Sequence, residues 1–265
     1  MRRERIFGME HILETKNLSV SFGEHDVIKD VTLKIERGKL ISIIGPNGAG
    51  KTTLFNLLSG QISPTKGDIY FKNEKITKLS VALRARRGIG RSFQLTNIFP
   101  ELTVLENIRL AIQSSDSDYY SILPRLSFMN RQMDEANAFM EKCMLGGKEE
   151  VLAQDLAHGE KRKLELAMLL ALKTELLLLD EPTAGISIEE IPAILEVIEN
   201  IKKEGLYTIV LIEHKMDMVM HLSDMLVVLF NGELLASGNP QEIIKDERVQ
   251  TAYLGGLHRE SIKTG

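Results

Sequence analysis

The sequence predicts an α/β protein with a parallel-sheet core, an antiparallel β flank and an inserted all-helical segment. Three observations predict it. Short, wholly apolar runs at residues 40–44, 176–179, 208–212 and 225–230 alternate with helical patterns, as strands covered on both faces of a parallel sheet do. A glycine-rich loop joins the first run to a helix. From residue 101 to about 150 no strand signal appears.

The elements follow in chain order. Val31, Leu33 and Ile35 alternate with Thr32, Lys34 and Glu36, the period of a strand with one wet face, and Arg37-Gly38 turns the chain into the buried strand 40–44. The helix after the glycine-rich loop stops near Gly60. Asn73-Glu74 closes a short strand pair, and Ser80 and Gly88 bracket a helix. Thr103-Val104-Leu105-Glu106 has the form of a capping box and opens the helical segment. There Val104, Leu105, Ile108 and Ala111 share one face, with Phe99-Pro100 beside it, an amphipathic surface that is either an ordinary helical cap or, next to Gln94, a place to receive a short partner helix. After strand 176–179, Ser187-Ile188-Glu189-Glu190 reads as a second capping box. Its helix places Ile191, Ile194, Leu195, Ile198 and Ile201 on one stripe and stops at Gly205. Asn231-Gly232 is a hairpin turn after the last buried strand.

Composition narrows the function classes. With 43% apolar and 26% charged residues the 265-residue chain resembles ordinary folding domains, so disorder and fibrous repeats are excluded. A formal charge of −4 leaves no cation excess for a nucleic-acid backbone. The longest apolar run, residues 166–172, is far below the roughly 18 residues of a membrane span. Met1 to Arg5 is basic, but only Ile6 and Phe7 precede Gly8, so no secretion-signal core is expected. Cys143 is the single cysteine, which fits a reducing compartment and reads as a buried apolar filler.

The chemistry starts at Gly45-Pro46-Asn47-Gly48-Ala49-Gly50-Lys51-Thr52, which satisfies G-x-x-x-x-G-K-[ST] between a strand and a helix. Its backbone N–H groups and the helix N-terminus suit phosphate oxygens, Lys51 suits the β- and γ-phosphates, and the Thr52 hydroxyl suits Mg²⁺. The loop alone leaves GTPase, kinase and ATPase open. An N-K-x-D guanine-reading motif is lacking, and no motif for a kinase's acceptor pocket or lid is found. Strand 176–179 instead delivers Asp180 and Glu181 at its C-terminal end. Asp180 suits Mg²⁺, and Glu181 suits the water that attacks the γ-phosphate, as general base or orienting group.

Residues 45–53, Leu156-Ala157-His158-Gly159-Glu160, 176–181 and His214, in this order and spacing, resemble the ATP-binding subunit of ABC transporters. The resemblance implies a P-loop NTPase core with an antiparallel β flank and a helical subdomain. It implies a nucleotide-binding domain over residues 9–256, with the helical subdomain and signature loop at 95–170, an N-terminal extension at 1–8 and a tail at 257–265. ATP and Mg²⁺ would be bound by Gly45, Pro46, Asn47, Gly48, Ala49, Gly50, Lys51, Thr52 and Thr53. Phe22 would stack on adenine, Gln94 would touch Mg²⁺ and the attacking water, and His214 would sense the γ-phosphate. Leu156, Ala157, His158, Gly159 and Glu160 would meet the nucleotide of a second ATPase subunit, identical or a paralogue. The pattern is departed from in two places: in the signature loop, where Ala157 and His158 stand for the serine and a glycine of L-S-G-G-Q, and at Ser187, where aspartate is usual.

Within the family, Arg91 to Gln94, Ile212-Glu213-His214-Lys215-Met216 and Ala252-Tyr253-Leu254-Gly255 resemble the importers of branched-chain amino acids. His158-Gly159-Glu160-Lys161 and Ala167-Met168-Leu169-Leu170 also resemble the sister group that imports urea and short-chain amides. The expectation is a transport-coupled ATPase on the cytoplasmic face of the membrane, held there by transmembrane permease subunits and served by an extracytoplasmic substrate-binding protein. A soluble ABC-type ATPase without a membrane partner is the alternative from another class; the tandem domains, coiled coils and basic arms usual in those are not seen here.

Overall fold

The computed structural model describes residues 11–92, 98–115 and 126–252. The expected extension at 1–8, Gln94 and the tail at 257–265 lie outside the described residues. In chain order the elements are β1 (His11–Phe22), β2 (His25–Glu36), β3 (Leu40–Ile44), α1 (Lys51–Ser59), β4 (Lys66–Phe71), β5 (Glu74–Lys75), α2 (Val81–Arg86), β6 (Ile89–Arg91) and α3 (Val104–Ser115). Then follow α4 (Leu126–Lys142), α5 (His158–Ala171), β7 (Leu176–Asp180), α6 (Ile191–Lys203), β8 (Thr208–Ile212), α7 (Met216–Leu222), β9 (Met225–Phe230), β10 (Glu233–Gly238) and α8 (Pro240–Ile243). They form two units, one of residues up to Arg84 and again from Thr208, the other Ala85–Tyr207.

The first unit contains both kinds of sheet that the sequence predicts. β3 lies parallel to β8 and to β9, and all five of its residues are buried, which is why its sequence shows no alternation. β10 returns antiparallel to β9 through Asn231-Gly232, both at positive φ as a tight hairpin turn requires. The antiparallel sheet has the order β2-β1-β4-β5. Its strand β2 starts at His25, six residues before the clean alternation begins at Val31, because Asp26 and Asp30 sit on an irregular stretch of the β1–β2 ladder where the register shifts. The turn between β4 and β5 is centred on Lys72 and Asn73, both at positive φ.

At the end of α1 the chain passes through Gly60, and Arg84 closes the helix. Arg84 is 1% exposed. Its Nη1 donates to the carbonyls of Leu57 at 2.6 Å and Leu58 at 2.8 Å, its Nη2 to Thr77 O at 3.0 Å and its Nε to Leu79 O at 3.1 Å. A cation therefore satisfies Leu58 O, and shares Leu57 O with the Gly60 N–H, at the negative end of the helix that follows the glycine-rich loop. Burial pulls the guanidinium down to about 10, still charged at neutral pH.

In the second unit, β6 pairs parallel with β7, and α3, α4 and α5 pack together. The expected capping box at α3 is present: Glu106 N donates to Thr103 Oγ1 at 3.1 Å and Thr103 N to Glu106 Oε2 at 2.9 Å. The apolar face of α3 is not a free surface, however. Val104, Leu105, Ile108 and Ala111 are buried among the helices of the unit, and of the expected amphipathic patch Phe99, 51% exposed, remains outside with Pro100. Cys143 is fully buried, and burial pushes its thiol up to about 12, so it is an inert apolar filler.

The second expected capping box does not form. Residues 188–190 are a turn, α6 begins at Ile191 with Pro192 in its first turn, and no side chain caps it. Ser187 Oγ donates instead to Glu190 Oε2 at 3.1 Å. The buried stripe of α6 is Ile194, Val197, Ile198 and Ile201, with Leu195 only half-buried.

Candidate functional site

In the first unit the loop after β3 has the form its sequence requires. A Cβ on Gly45 would lie 2.2 Å from Leu229 O, so no larger residue fits between β3 and β9 at the loop's entrance. Gly50 has φ 98 and sits against Val27 O and Ile28, and it is the N-cap of α1. No side chain caps α1 and no acidic residue stands in its first turn, so the N–H groups at its start keep their partial positive charge for an anion. Pro46 O accepts from Ala49 N at 3.1 Å, and Ala49 O accepts from Gly232 N at 3.2 Å, which pins the loop to the β9–β10 hairpin. Asn47 and Gly48 are exposed at its crest.

Lys51 is buried at 7% exposure, and its ammonium donates to Gly45 O at 2.8 Å and Pro46 O at 3.1 Å. The cation is thus held beneath the loop that the motif assigns to phosphates. Thr52 is exposed and Thr53 half-buried. Two further candidates belong to this unit. Phe22 ends β1 with half of its surface open, 52% exposed, as a stacking ring needs and as a core residue does not. His214 follows β8, is exposed, and its backbone N–H donates to Glu213 Oε2 at 3.0 Å.

The second unit holds the carboxylates. Asp180 ends β7 and is 1% exposed. The end of β6 and the residue after it supply its partners: Arg91 Nη2 donates to Asp180 Oδ2 at 3.0 Å, and Asp180 N donates to Ser92 Oγ at 3.2 Å. Asp180 Oδ1 is buried without a hydrogen-bond partner. Burial raises the Asp180 carboxyl above its ordinary value, with the Glu181 charge adding to this and Arg91 and Arg162 opposing it. An orphaned buried carboxylate oxygen is the donor that a hard divalent cation takes, so the residues fit Mg²⁺. Glu181 follows with φ 49, a left-handed backbone that costs a non-glycine residue roughly 1–2 kcal/mol.

The signature segment opens α5. Ala157 is the N-cap without a side-chain bond, and its N–H donates to Glu160 Oε2 at 3.1 Å. Burial would raise the Glu160 carboxyl, but its ion pair with Lys148 and the Ala157 N–H hold it below the usual range. Leu156 is buried, and Ala157 and His158 are exposed. The sequence leaves the Gly159 N–H as the donor that survives the loss of serine. In the structure this N–H donates to Glu190 Oε1 at 3.2 Å, because Ser187 and Glu190 form a turn in place of a helix cap.

Four side chains here were not identified as functional from sequence: Arg91, Ser92, Arg162 and Glu190. Arg91 and Ser92 lie three and two residues before Gln94, and a charged residue at the end of a short strand was the signal available. Arg162 and Glu190 carry no local signal, since charged residues on a helix or turn are usually solvated.

Comparison with known proteins places the chain among relatives. The family model described as ABC transporter matches residues 28–184, and that described as branched-chain amino acid ATP-binding cassette transporter matches residues 233–259. The high-affinity branched-chain amino acid transport ATP-binding protein LivG of Escherichia coli (strain K12) is 36% identical over 92% of this chain and 98% of its own length. BraF of Pseudomonas aeruginosa, of the same description, is 36% identical with the same coverage. The lipopolysaccharide export system ATP-binding protein LptB of E. coli (strain K12) is 34% identical over 92% of this chain and 97% of its own length. Among solved structures, the ADP conformation of MJ1267, an ATP-binding cassette of an ABC transporter, is similar with a TM-score of 0.79 and 30% identity, over 93% of this chain and 100% of that one.

Proposed function

The chain belongs to the ABC transporter family, and from that premise we propose that it is the ATP-hydrolysing subunit that powers import of branched-chain amino acids. The observation that carries the cargo is the match of residues 233–259, which begin at β10, to the branched-chain family model, together with the likeness to LivG and BraF along nearly the whole chain. Among the described residues no helix is long and apolar enough to cross a membrane, so the reading requires separate permease subunits. It places the chain peripherally on the cytoplasmic face, with an extracytoplasmic binding protein delivering cargo and no nucleic-acid partner.

In this reading the loop N–H groups of 45–53 and Lys51 hold the β- and γ-phosphates of ATP, and Phe22 stacks on adenine. Thr52, Asp180 and Gln94 hold Mg²⁺, which when bound neutralises charge on the phosphate oxygens. Glu181 takes a proton from, or orients, the attacking water, and His214 donates to the γ-phosphate. Leu156 to Glu160 serve the nucleotide of a second ATPase subunit, identical or a paralogue, so that ATP binding closes the pair and hydrolysis reopens it. Support comes from the buried cation beneath the loop, the uncapped α1 and the orphaned oxygen of Asp180.

Cells deleted for the chain and complemented with wild type should regain ATP-dependent uptake of labelled leucine, isoleucine and valine, and cells given Glu181→Gln should not. Uptake of urea or short-chain amides alone would move the cargo to the sister group. Loss of lipopolysaccharide export with normal amino-acid uptake would favour the likeness to LptB. A normal phenotype in both, with retained ATP hydrolysis, would favour a soluble ATPase without a membrane partner.

A further inference from the structure

The turn that carries Glu181 is tied at both ends to the first turns of α5. At one end, Arg162 Nε donates to Pro182 O at 3.2 Å, and its Nη2 makes a longer contact to Glu181 O at 3.5 Å. At the other, Glu190 Oε1 accepts the Gly159 N–H at 3.2 Å. Gly159 and Arg162 are three residues apart on α5 and so lie on one face.

Arg162 is 4% exposed, and its charge is matched by an ion pair with Glu165 one turn on, also buried. A buried ion pair adds little net stability over apolar residues of the same size, so packing alone does not explain an arginine here. What only a planar, multi-donor fork supplies is simultaneous contact with two successive carbonyls and a carboxylate. Those carbonyls belong to the residue with left-handed backbone and to the proline after it, and Glu181 O also accepts Ala184 N at 3.0 Å. A left-handed glutamate persists only where its surroundings over-determine it.

We infer that Arg162 is a positioning residue for Glu181: through the carbonyls of Glu181 and Pro182 it fixes the strained turn that aims the carboxylate and ties that turn to the helix bearing the signature loop. The inference rests on the reading of Glu181 as the group that acts on the attacking water.

The test uses the full chain, with fluorescent ATP for binding and phosphate release for turnover. Arg162→Lys keeps the charge but cannot span both carbonyls. Arg162→Met with Glu165→Met removes both charges at similar volume and guards against misfolding of the single variant. Both should bind ATP within about threefold of wild type and lose about 10- to 100-fold in kcat, the range of a misplaced catalytic group. Arg162→Lys added to Glu181→Gln should slow single-turnover hydrolysis less than about twofold further, since both changes act on one function. A merely structural role would slow the Glu181→Gln protein by the same factor as wild type, and that result overturns the inference. So does wild-type kcat in either folded variant. If the wild-type chain turns over and Glu181→Gln turns over equally fast, the role of Glu181 falls and the inference with it; if only the Arg162 variants are normal, the role of Glu181 stands and the inference alone falls.

Discussion

The guanidinium of Arg91 donates to Asp180 Oδ2 at 3.0 Å, while Asp180 Oδ1 stays buried without a hydrogen-bond partner. One oxygen is held by the fold, and the other is left for chemistry. Arg91→Met should therefore lower stability in urea by about 3–5 kcal/mol, because a buried carboxylate loses its cation. The sign with pH also follows. Asp180 already titrates above its ordinary value when folded, so the folded state takes its proton more readily than the unfolded one, and this contribution to stability falls as pH rises through and above the usual carboxylate range. Arg91→Met should extend that fall to higher pH. A melt that matches wild type from about pH 4 to 7 would show that the pair does not hold Asp180.

Lys51→Ala should abolish tight ATP binding, since it removes the cation beneath the phosphate loop. Glu181→Gln should bind ATP and turn over about 10²- to 10⁴-fold more slowly, the usual effect of losing a general base. With ATP and Mg²⁺ the Glu181→Gln chain should double its mass in light scattering and return to a monomer when nucleotide is removed. A monomer at saturating ATP would rule out closure between two identical copies.

Arg84 should matter for the phosphate loop without touching it. Arg84→Ala removes a donor from four backbone carbonyls, two of them at the end of α1, of which Leu57 O keeps the Gly60 N–H, and should cost about 3 kcal/mol or more. Arg84→Lys should recover little, since an ammonium cannot reach all four. A loss below about 1 kcal/mol in urea melts would mean that Gly60 alone terminates the helix.

Much of this was legible in the sequence because it is local. Residues 40–44 read as a doubly covered strand from composition alone, Thr103 and Glu106 form the capping box their spacing predicts, and residues 45–52 carry their own turn chemistry. What was not legible depends on which chain segments meet. The spacing of Ser187 and Glu190 matches a capping box as well as that of Thr103 and Glu106, but Glu190 turns to Gly159, 31 residues away, and Pro192 starts the helix later. Leu105 looked like part of an outer surface because an amphipathic pattern gives a helix two faces without saying which one is covered. Arg84 and Arg162 were invisible for the same reason: arginines are usually exposed, and their carbonyl partners are far along the chain or across a turn.

Phe99 is what stays exposed of the surface expected to receive a partner helix, and if the chain powers an importer that helix belongs to a permease subunit. Phe99→Glu should leave ATP binding and basal hydrolysis within about twofold of wild type and uncouple hydrolysis from uptake, as expected when an apolar anchor at the centre of an interface is lost. Normal coupled uptake by this variant would place the docking surface elsewhere.

The central claim is that hydrolysis at Glu181 drives import of branched-chain amino acids. It is tested most directly in proteoliposomes holding the chain with its permease subunits and binding protein, with ATP and Mg²⁺ supplied on the side of the ATPase and labelled leucine measured in the compartment that receives cargo. The account predicts ATP-dependent accumulation of leucine with the wild-type chain and none above the no-ATP level with Glu181→Gln. Hydrolysis of ATP without leucine accumulation, or accumulation that persists in Glu181→Gln, would contradict it.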